Sequence, residues 1–417
     1  MLSLFSGCGG MDIGFEGGFK VNKNCINVDL SKEWISKKRG VNYELKETIF
    51  ETVFANDIVK HGQISWENYF SKKRDIDGVY RLESIVDIVK KHKSKNFNFP
   101  ENIDVVTGGF PCQDFSVAGK RKGFKSDKNH HGELDYNVSS IETRGMLYMW
   151  MKEVIEITKP KIFIAENVKG LVSLGDVRDI IQNDFSKIDK DGYLVLNPKV
   201  LHSAHYGVPQ SRERVFFIGF KRSSLSPEAL NLLSNDEIPD NISPYPMPTH
   251  RLTSEFAFSE RDKKLKNKTT LKSVFEDLKE PELSDDNSQK YYSKAKYYGT
   301  KVQGQKEIDL NNIGPTIRSE HHGNIEFRRL SEKNGGKHKK ELSQGLLERR
   351  LTLRECARIQ SFPDDFDFVI PNEEGHKKFK LSPSLGYKLV GNAVPPLLAY
   401  HLAKKIESNW ELFFNKK

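Results

Sequence analysis

The sequence predicts an α/β protein, a largely parallel sheet with its helices, followed by a second, smaller and irregular β-rich domain. Three observations carry this. The chain opens as an apolar run, a glycine-rich turn and a helical stretch. Short β-type runs then alternate with helical stretches as far as Phe220. Beyond Phe220 the composition turns to Ser, Asn, Lys and Pro, and the hydrophobic pattern becomes patchy.

In order, Met1 to Phe5 is a strand, Ser6 to Gly10 a tight turn, and Met11 to Phe19 a helix. Cys25 to Val28 is the next apolar run, read as a second strand ending at Asp29. Lys37 to Asn98 is Lys-rich and weakly periodic, which predicts helices and loops on a surface. Ile103 to Thr107 is a buried-type strand running into Gly108-Gly109-Phe110-Pro111-Cys112. Met146 to Thr158 is a helix. Lys161 to Ala165 and Val215 to Phe220 are further strands, the first ending at Glu166-Asn167. Leu225 to Glu341 carries Pro244, Pro246 and Pro248 close together and predicts long loops. Thr352-Leu353-Arg354-Glu355 is a capping box opening a helix, with a turn at Phe362-Pro363-Asp364. Gly391-Asn392-Ala393-Val394-Pro395-Pro396 leads into a helix from Pro396 to about Phe414, with proline in its first turn. The expected division is 1–220, then 221–382 with the 349–366 segment near the junction, then a C-terminal segment, 383–417, returning to the first domain.

The chain has 417 residues, 37% hydrophobic and 29% charged, enough for a large core. Lys and Arg number 66 against 57 Asp and Glu, a formal charge of +9. That balance suits a polyanionic partner such as nucleic acid, and equally a Lys-rich solvated surface. Of the four cysteines, Cys8, Cys25, Cys112 and Cys356, no two have metal-ligand spacing, and no metal is expected. A reducing cytoplasm is the expected compartment. No apolar run is long enough to span a membrane, and no signal peptide is evident.

Four constellations carry chemistry. Phe5-Ser6-Gly7-Cys8-Gly9-Gly10 closes a strand and opens a helix, so its backbone can approach a ligand; it is also what any tight α/β turn looks like. Asp29 is placed to take ribose hydroxyls and Asp57, in Asn56-Asp57-Ile58, to face an adenine. Cys112 follows a strand's C-terminal end, where α/β folds keep active sites, with Lys120, Arg121 and Lys122 nearby to favour thiolate; a buried structural cysteine is the alternative. Glu166-Asn167-Val168 and Gln210-Ser211-Arg212-Glu213-Arg214 put an acid and arginines at the mouth of the same sheet, or on an ordinary ion-paired surface.

Taken in order, FSGCGGMDIG (5–14), NDI (56–58), GGFPCQDFS (108–116), RGMLY (144–148), ENV (166–168), QSRERVFFIG (210–219), RRLTLRECARIQSFPDDF (349–366) and GNAVPP (391–396) resemble the DNA (cytosine-5)-methyltransferase family of bacterial restriction–modification type. The resemblance covers nearly the whole chain. It implies a Rossmann-like S-adenosylmethionine-dependent methyltransferase sheet and a target-recognition domain. It implies Cys112 as the nucleophile on carbon 6 of a flipped-out cytosine, Glu166 on its N3 and amino group, and Arg214 with Arg212 supporting the base and the cysteine. The cofactor pocket implied is Phe5, Ser6, Gly7, Cys8, Gly9, Gly10, Asp29, Asp57, Ile58, Pro111, Leu147 and Asn392. Double-stranded DNA is the implied partner. Gln113, Ser116, Lys120, Arg318, Arg328, Arg329 and Arg349 are the expected contacts; the stretch from Gly314 to Arg329 reads equally as structural loops. A monomer is expected. A companion restriction endonuclease reading the same site, without a stable complex, is compatible with this.

The chain departs from the family in places. Ser3 stands where an acid is usual, two positions before Phe5. The chain starts almost on that strand, so a few N-terminal residues are expected to be missing or the start unusual. Asp29 stands where glutamate is usual. Lys125 to Thr143 is an insertion in the loop expected to close over DNA as a lid. Other functions are disfavoured on specific grounds. An inactive DNA-binding regulator would lack the cysteine, glutamate or arginine. The tRNA-methylating branch carries a Cys-Phe-Thr motif not found here. A nicotinamide oxidoreductase would leave Cys112 and Glu166 without a role.

Overall fold

The protein is described by a computed structural model covering residues 1–111, 130–131, 146–173, 176–253, 259–319, 325–372 and 378–415. Among these residues eight strands form one mixed sheet: β1 (Leu2–Leu4), β5 (Phe54–Asp57), β6 (Tyr80–Leu82), β7 (Val105–Gly108), β8 (Ile162–Val168), β9 (Tyr193–Val195), β10 (Lys199–His202) and β11 (Glu213–Lys221). The order is β10-β11-β8-β7-β1-β5-β6, with β9 also on β11. The strands from β6 to β8 are parallel, and β11 runs antiparallel to β8. The order reverses at β1, between β7 and β5, which opens a crevice beyond the carboxyl ends of the strands.

Side chains alternate between two apolar layers because the strands are covered on both faces. Phe163, Ala165, Val215 and Phe217 face one layer with α4 (Ile85–Lys93), α5 (Leu147–Thr158) and α6 (Val177–Ser186). Ile162, Ile164, Phe216 and Ile218 face the other, with α1 (Gly10–Glu16) and α3 (Lys60–Phe70). The segment after Pro396 forms two helices, α14 (Pro396–Ser408) and α15 (Trp410–Phe414), rather than one. α14 crosses α1 so closely that a Cβ on Gly14 would sit 2.4 Å from both the Ala399 Cβ and the Pro396 carbonyl. A larger residue at Gly14 would force the helices apart, typically costing about 1–3 kcal/mol.

Two expectations for the N-terminal half are corrected. Cys25 to Val28 is not a strand: the chain makes a short turn there and enters α2 (Val28–Ser31), started by the Asn27 side chain. The strands of that region, β2 (Lys20–Asn22), β3 (Ile35–Arg39) and β4 (Asn42–Leu45), make a separate antiparallel sheet. Nor is Lys37 to Asn98 merely surface, because it supplies β5 and β6 of the main sheet.

The region after β11 is irregular. It holds α7 (Pro227–Leu233), α8 (Glu260–Lys263), α9 (Leu271–Phe275), α10 (Asn287–Lys290) and α11 (Lys339–Ser343). Its sheets are two-stranded: β12 (His250–Arg251) with β13 (Lys266–Asn267), β14 (Phe327–Arg329) with β15 (Arg349–Arg350), and β16 (Ile370–Pro371) with β17 (Phe379–Leu381). α12 (Leu353–Ile359) begins with the capping box read from the sequence, Thr352 and Glu355 each bonding the other's backbone N–H. It is fully buried and packs on α9, α10 and α13 (Pro383–Asn392).

Candidate active site

A cavity of about 500 Å³ lies beyond the carboxyl ends of β1, β5, β6, β7 and β8. The glycine-rich turn forms its floor. Gly7 adopts φ +57° and Gly9 φ +83°, conformations that favour glycine. Gly7 is held on both sides: its N–H donates to Asp57 Oδ2 at 2.9 Å, and its carbonyl accepts from the Tyr80 hydroxyl at 2.9 Å. The Cys8 thiol is buried, and burial pushes its pKa up to about 12. It therefore stays a neutral space-filler.

Phe5, Ser6, Gly7, Cys8, Gly10, Asp57, Ile58, Pro111, Leu147 and Asn392 all line this cavity. Gly9 backs the turn from outside, where a Cβ would strike the Trp66 ring at 2.5 Å. Asp29 is not brought there. It is exposed in the first turn of α2, its N–H bonded to the Asn27 side chain. The physical reason is topological. The strand beside β1 is β5, so the acid at the crevice is Asp57, while the segment carrying Asp29 lies between strands of a different sheet. Ser84 and Ile85, after β6, also line the cavity and were not singled out from the sequence. The Asn56 side chain fixes the exit from β6 by donating to the carbonyls of Arg81 and Glu83. His130 reaches the same wall, its Nδ1 2.8 Å from Ser84 Oγ.

At the other end of the cavity β8 and β11 bring the acid and the arginine together. Glu166 pairs with Phe216 across the sheet and Arg214 with Val168, so the two side chains meet at the strand ends. Arg214 Nε lies 2.8 Å from Glu166 Oε1, and both side chains are largely buried. Burial pushes the Glu166 carboxyl up, against the opposing pull of Arg214 and Arg212. Gly109 makes room for it: a Cβ there would lie 2.8 Å from Glu166 Oε2. Asn167 donates to the Phe110 carbonyl at 3.1 Å, tying β8 to the loop that leads past Pro111. Arg212 does not line the cavity. Its guanidinium is buried and donates to the carbonyls of Ile317 and Gly391. Cys112, Gln113, Ser116, Lys120 and most of the insertion at 125–143 lie outside the described residues.

Three expected DNA contacts are corrected. Arg328, Arg329 and Arg349 are buried in a cluster with Glu280, Glu341 and Glu355. Arg329 is only 1% exposed and bonds both Glu280 and Glu341. Guanidiniums engaged by internal carboxylates are not available to phosphates or base edges. Arg318 is exposed, next to Ser319 at the cavity wall.

The family model described as C-5 cytosine-specific DNA methylase matches residues 1–408. Type II methyltransferase M.BsuRI of Bacillus subtilis is 30% identical, over 99% of this chain and 80% of its own length. Type II methyltransferase M.NgoPII of Neisseria gonorrhoeae is 28% identical, over 99% of this chain and 96% of its own. Among solved structures, a Spodoptera frugiperda DNMT2 mutant superposes with TM-score 0.52 at 16% identity, covering 97% of this chain and 98% of its own, a likeness of fold. No helix among the described residues is long and apolar enough to cross a membrane.

Proposed function

Because the chain belongs to the C-5 cytosine-specific DNA methylase family, we propose a residue-level account of how it methylates DNA. It is a DNA (cytosine-5)-methyltransferase of the restriction–modification type. S-adenosylmethionine, which supplies the methyl group when bound, suits the cavity in size and chemistry. The glycine-rich turn offers close backbone approach, Asp57 a carboxylate for ribose hydroxyls, and Ile58, Ile85 and Leu147 apolar surface for a base.

The target cytosine enters from the Glu166–Arg214 end. Carbons 5 and 6 of a stacked base are inaccessible, so the nucleotide must leave the duplex. Glu166 receives N3 and the amino group, and burial pushes its carboxyl up, the direction that suits proton sharing with N3. Arg214 fixes the Glu166 carboxyl and supports the base. Arg212 acts one step back, as a positioning residue that ties β11 to the Ile317 and Gly391 backbone. Cys112, following the cavity residue Pro111, adds to carbon 6 as thiolate. Carbon 5 becomes nucleophilic, takes the methyl group and then loses its proton as the cysteine leaves. The target sequence is read from the 221–382 region, with Arg318 at the cavity mouth as a contact.

The observation that carries this is the buried Glu166–Arg214 pair sharing one cavity with the glycine-rich turn, Asp57 and Pro111. Bisulfite sequencing of DNA from cells expressing the chain tests it. A fixed short sequence protected at one cytosine is the expected result, and no protected cytosine would refute it.

A further inference from the structure

Asp12 is a fully buried carboxylate that the proposed chemistry does not use. It lies in the first turn of α1, beneath the glycine-rich turn. Three neutral donors converge on it. Ser3 Oγ on β1 reaches Oδ1 at 2.6 Å, Ser6 Oγ in the turn reaches Oδ2 at 2.5 Å, and Trp66 Nε1 on α3 reaches Oδ2 at 2.8 Å. Ser3 stands where the family usually carries an acid; here the acid comes from the helix facing it.

Among the described residues Asp12 has no ion-pair partner; these three donors are its side chain's polar partners. Burial holds its carboxyl above the usual carboxylate range, and the three donors pull against that shift. The segment it spans is strained. Phe5, a non-glycine residue, sits at φ +53° between the two serines, and Gly7 at φ +57° follows. Ser3 and Ser6 both line the cavity, and the Trp66 ring is what closes the space beside Gly9. The carboxylate thus joins strand, turn and a second helix directly under the ligand floor.

We infer that Asp12 is a positioning residue for the cofactor, holding the Ser3–Gly10 turn in the conformation that accepts S-adenosylmethionine. This rests on the assignment of the cavity to that cofactor. A strained turn stays in place only where its surroundings over-determine it; Asp57 and Tyr80 hold Gly7, and Asp12 supplies the polar constraint on the Ser3 and Ser6 side. An asparagine has the same shape but replaces one acceptor oxygen with a donor. It cannot accept from all three groups, so the turn samples other conformations and the cofactor must reorder it on binding.

Titration calorimetry with S-adenosylmethionine on the full chain tests this. Asp12→Asn should weaken binding by roughly tenfold or more, in the range of losing a hydrogen bond to a charged group. It should raise the KM for the cofactor, leave kcat at saturating cofactor within about threefold, and leave DNA affinity unchanged, since only the cofactor's ground-state binding is disturbed. Ser6→Ala and Trp66→Phe should weaken binding less, and Ser6→Ala should add little to Asp12→Asn, as expected for members of one network. A folded Asp12→Asn protein with wild-type cofactor affinity would overturn the inference, as would a loss of melting temperature alone. Should Asp12→Asn fail to fold, wild-type affinity in both Ser6→Ala and Trp66→Phe would overturn it. If the wild-type chain itself does not bind S-adenosylmethionine, it is the cavity assignment that fails.

Discussion

Glu280→Gln separates a structural role for the buried arginine cluster from a DNA-reading one. Glu280 accepts from Arg329 Nη1 and Nη2 at 3.2 and 2.9 Å, and from Arg349 Nε and Nη2 at 2.9 and 3.3 Å. These contacts hold its carboxyl down from 4.5 to about 2, against the cost of burial. At about 1.4 kcal/mol per pH unit the drop is worth roughly 3 kcal/mol of stability. The side chain is 22% exposed, so that figure is an upper bound. The stabilisation is fully present above pH 4.5, where the unfolded carboxyl is also ionised. It is lost as pH falls from about 4.5 to about 2. The amide cannot neutralise two guanidiniums, so the variant should lie below wild type at pH 7 by up to roughly 3 kcal/mol. The gap should close towards pH 2. Chemical denaturation across this pH range measures the gap, and binding to the cognate duplex is followed in parallel. A gap equal at pH 3 and pH 7 would refute the linkage. Unchanged stability with weakened DNA binding would return the arginines to the DNA surface.

Glu166→Gln preserves the shape that Gly109 accommodates but removes the proton needed at N3. Turnover should fall by roughly a hundredfold or more with cofactor affinity unchanged, as for loss of one acid–base or electrostatic contact; single-turnover kinetics and calorimetry check the two halves. Asp57→Ala should weaken S-adenosylmethionine binding by about tenfold or more, losing both the carboxylate and its hold on the Gly7 N–H. Asp29→Ala, outside the cavity, should leave that affinity within about twofold, and calorimetry on the two variants tells the acids apart.

The local chemistry of the site was legible where short motifs close a strand. FSGCGG, GGFP and ENV each end a strand of the main sheet or follow it directly, and residues of all three line one cavity. What the sequence could not weigh was which strand neighbours β1. Phe54–Asp57 is only four residues long, and half of it, Asn56 and Asp57, is polar, so it does not read as a buried strand. The separate sheet of β2, β3 and β4 intervenes, so reading Cys25 to Val28 as the next strand puts Asp29 where the pairing puts Asp57. The arginines failed for a different reason. Arg329 and Arg349 look like an exposed basic stretch until Glu280, distant in sequence, is brought against both. Burial of a charge depends on such long-range partners, and no local pattern announces them. Asp12 was equally hidden within a motif noticed for its glycines, since its donors Ser3 and Trp66 come from a strand and from another helix.

In the proposed mechanism Cys112 attacks the target cytosine. A duplex carrying 5-fluorocytosine at the methylated position tests it most directly, because fluorine cannot leave carbon 5 as a proton does and the enzyme is caught on carbon 6. With S-adenosylmethionine present, the wild-type chain should form a denaturant-resistant complex whose cross-linked peptide contains Cys112. Cys112→Ala should bind the duplex yet form no adduct and transfer no labelled methyl group. Methyl transfer by Cys112→Ala near the wild-type rate, or an adduct on another residue, would contradict the claim.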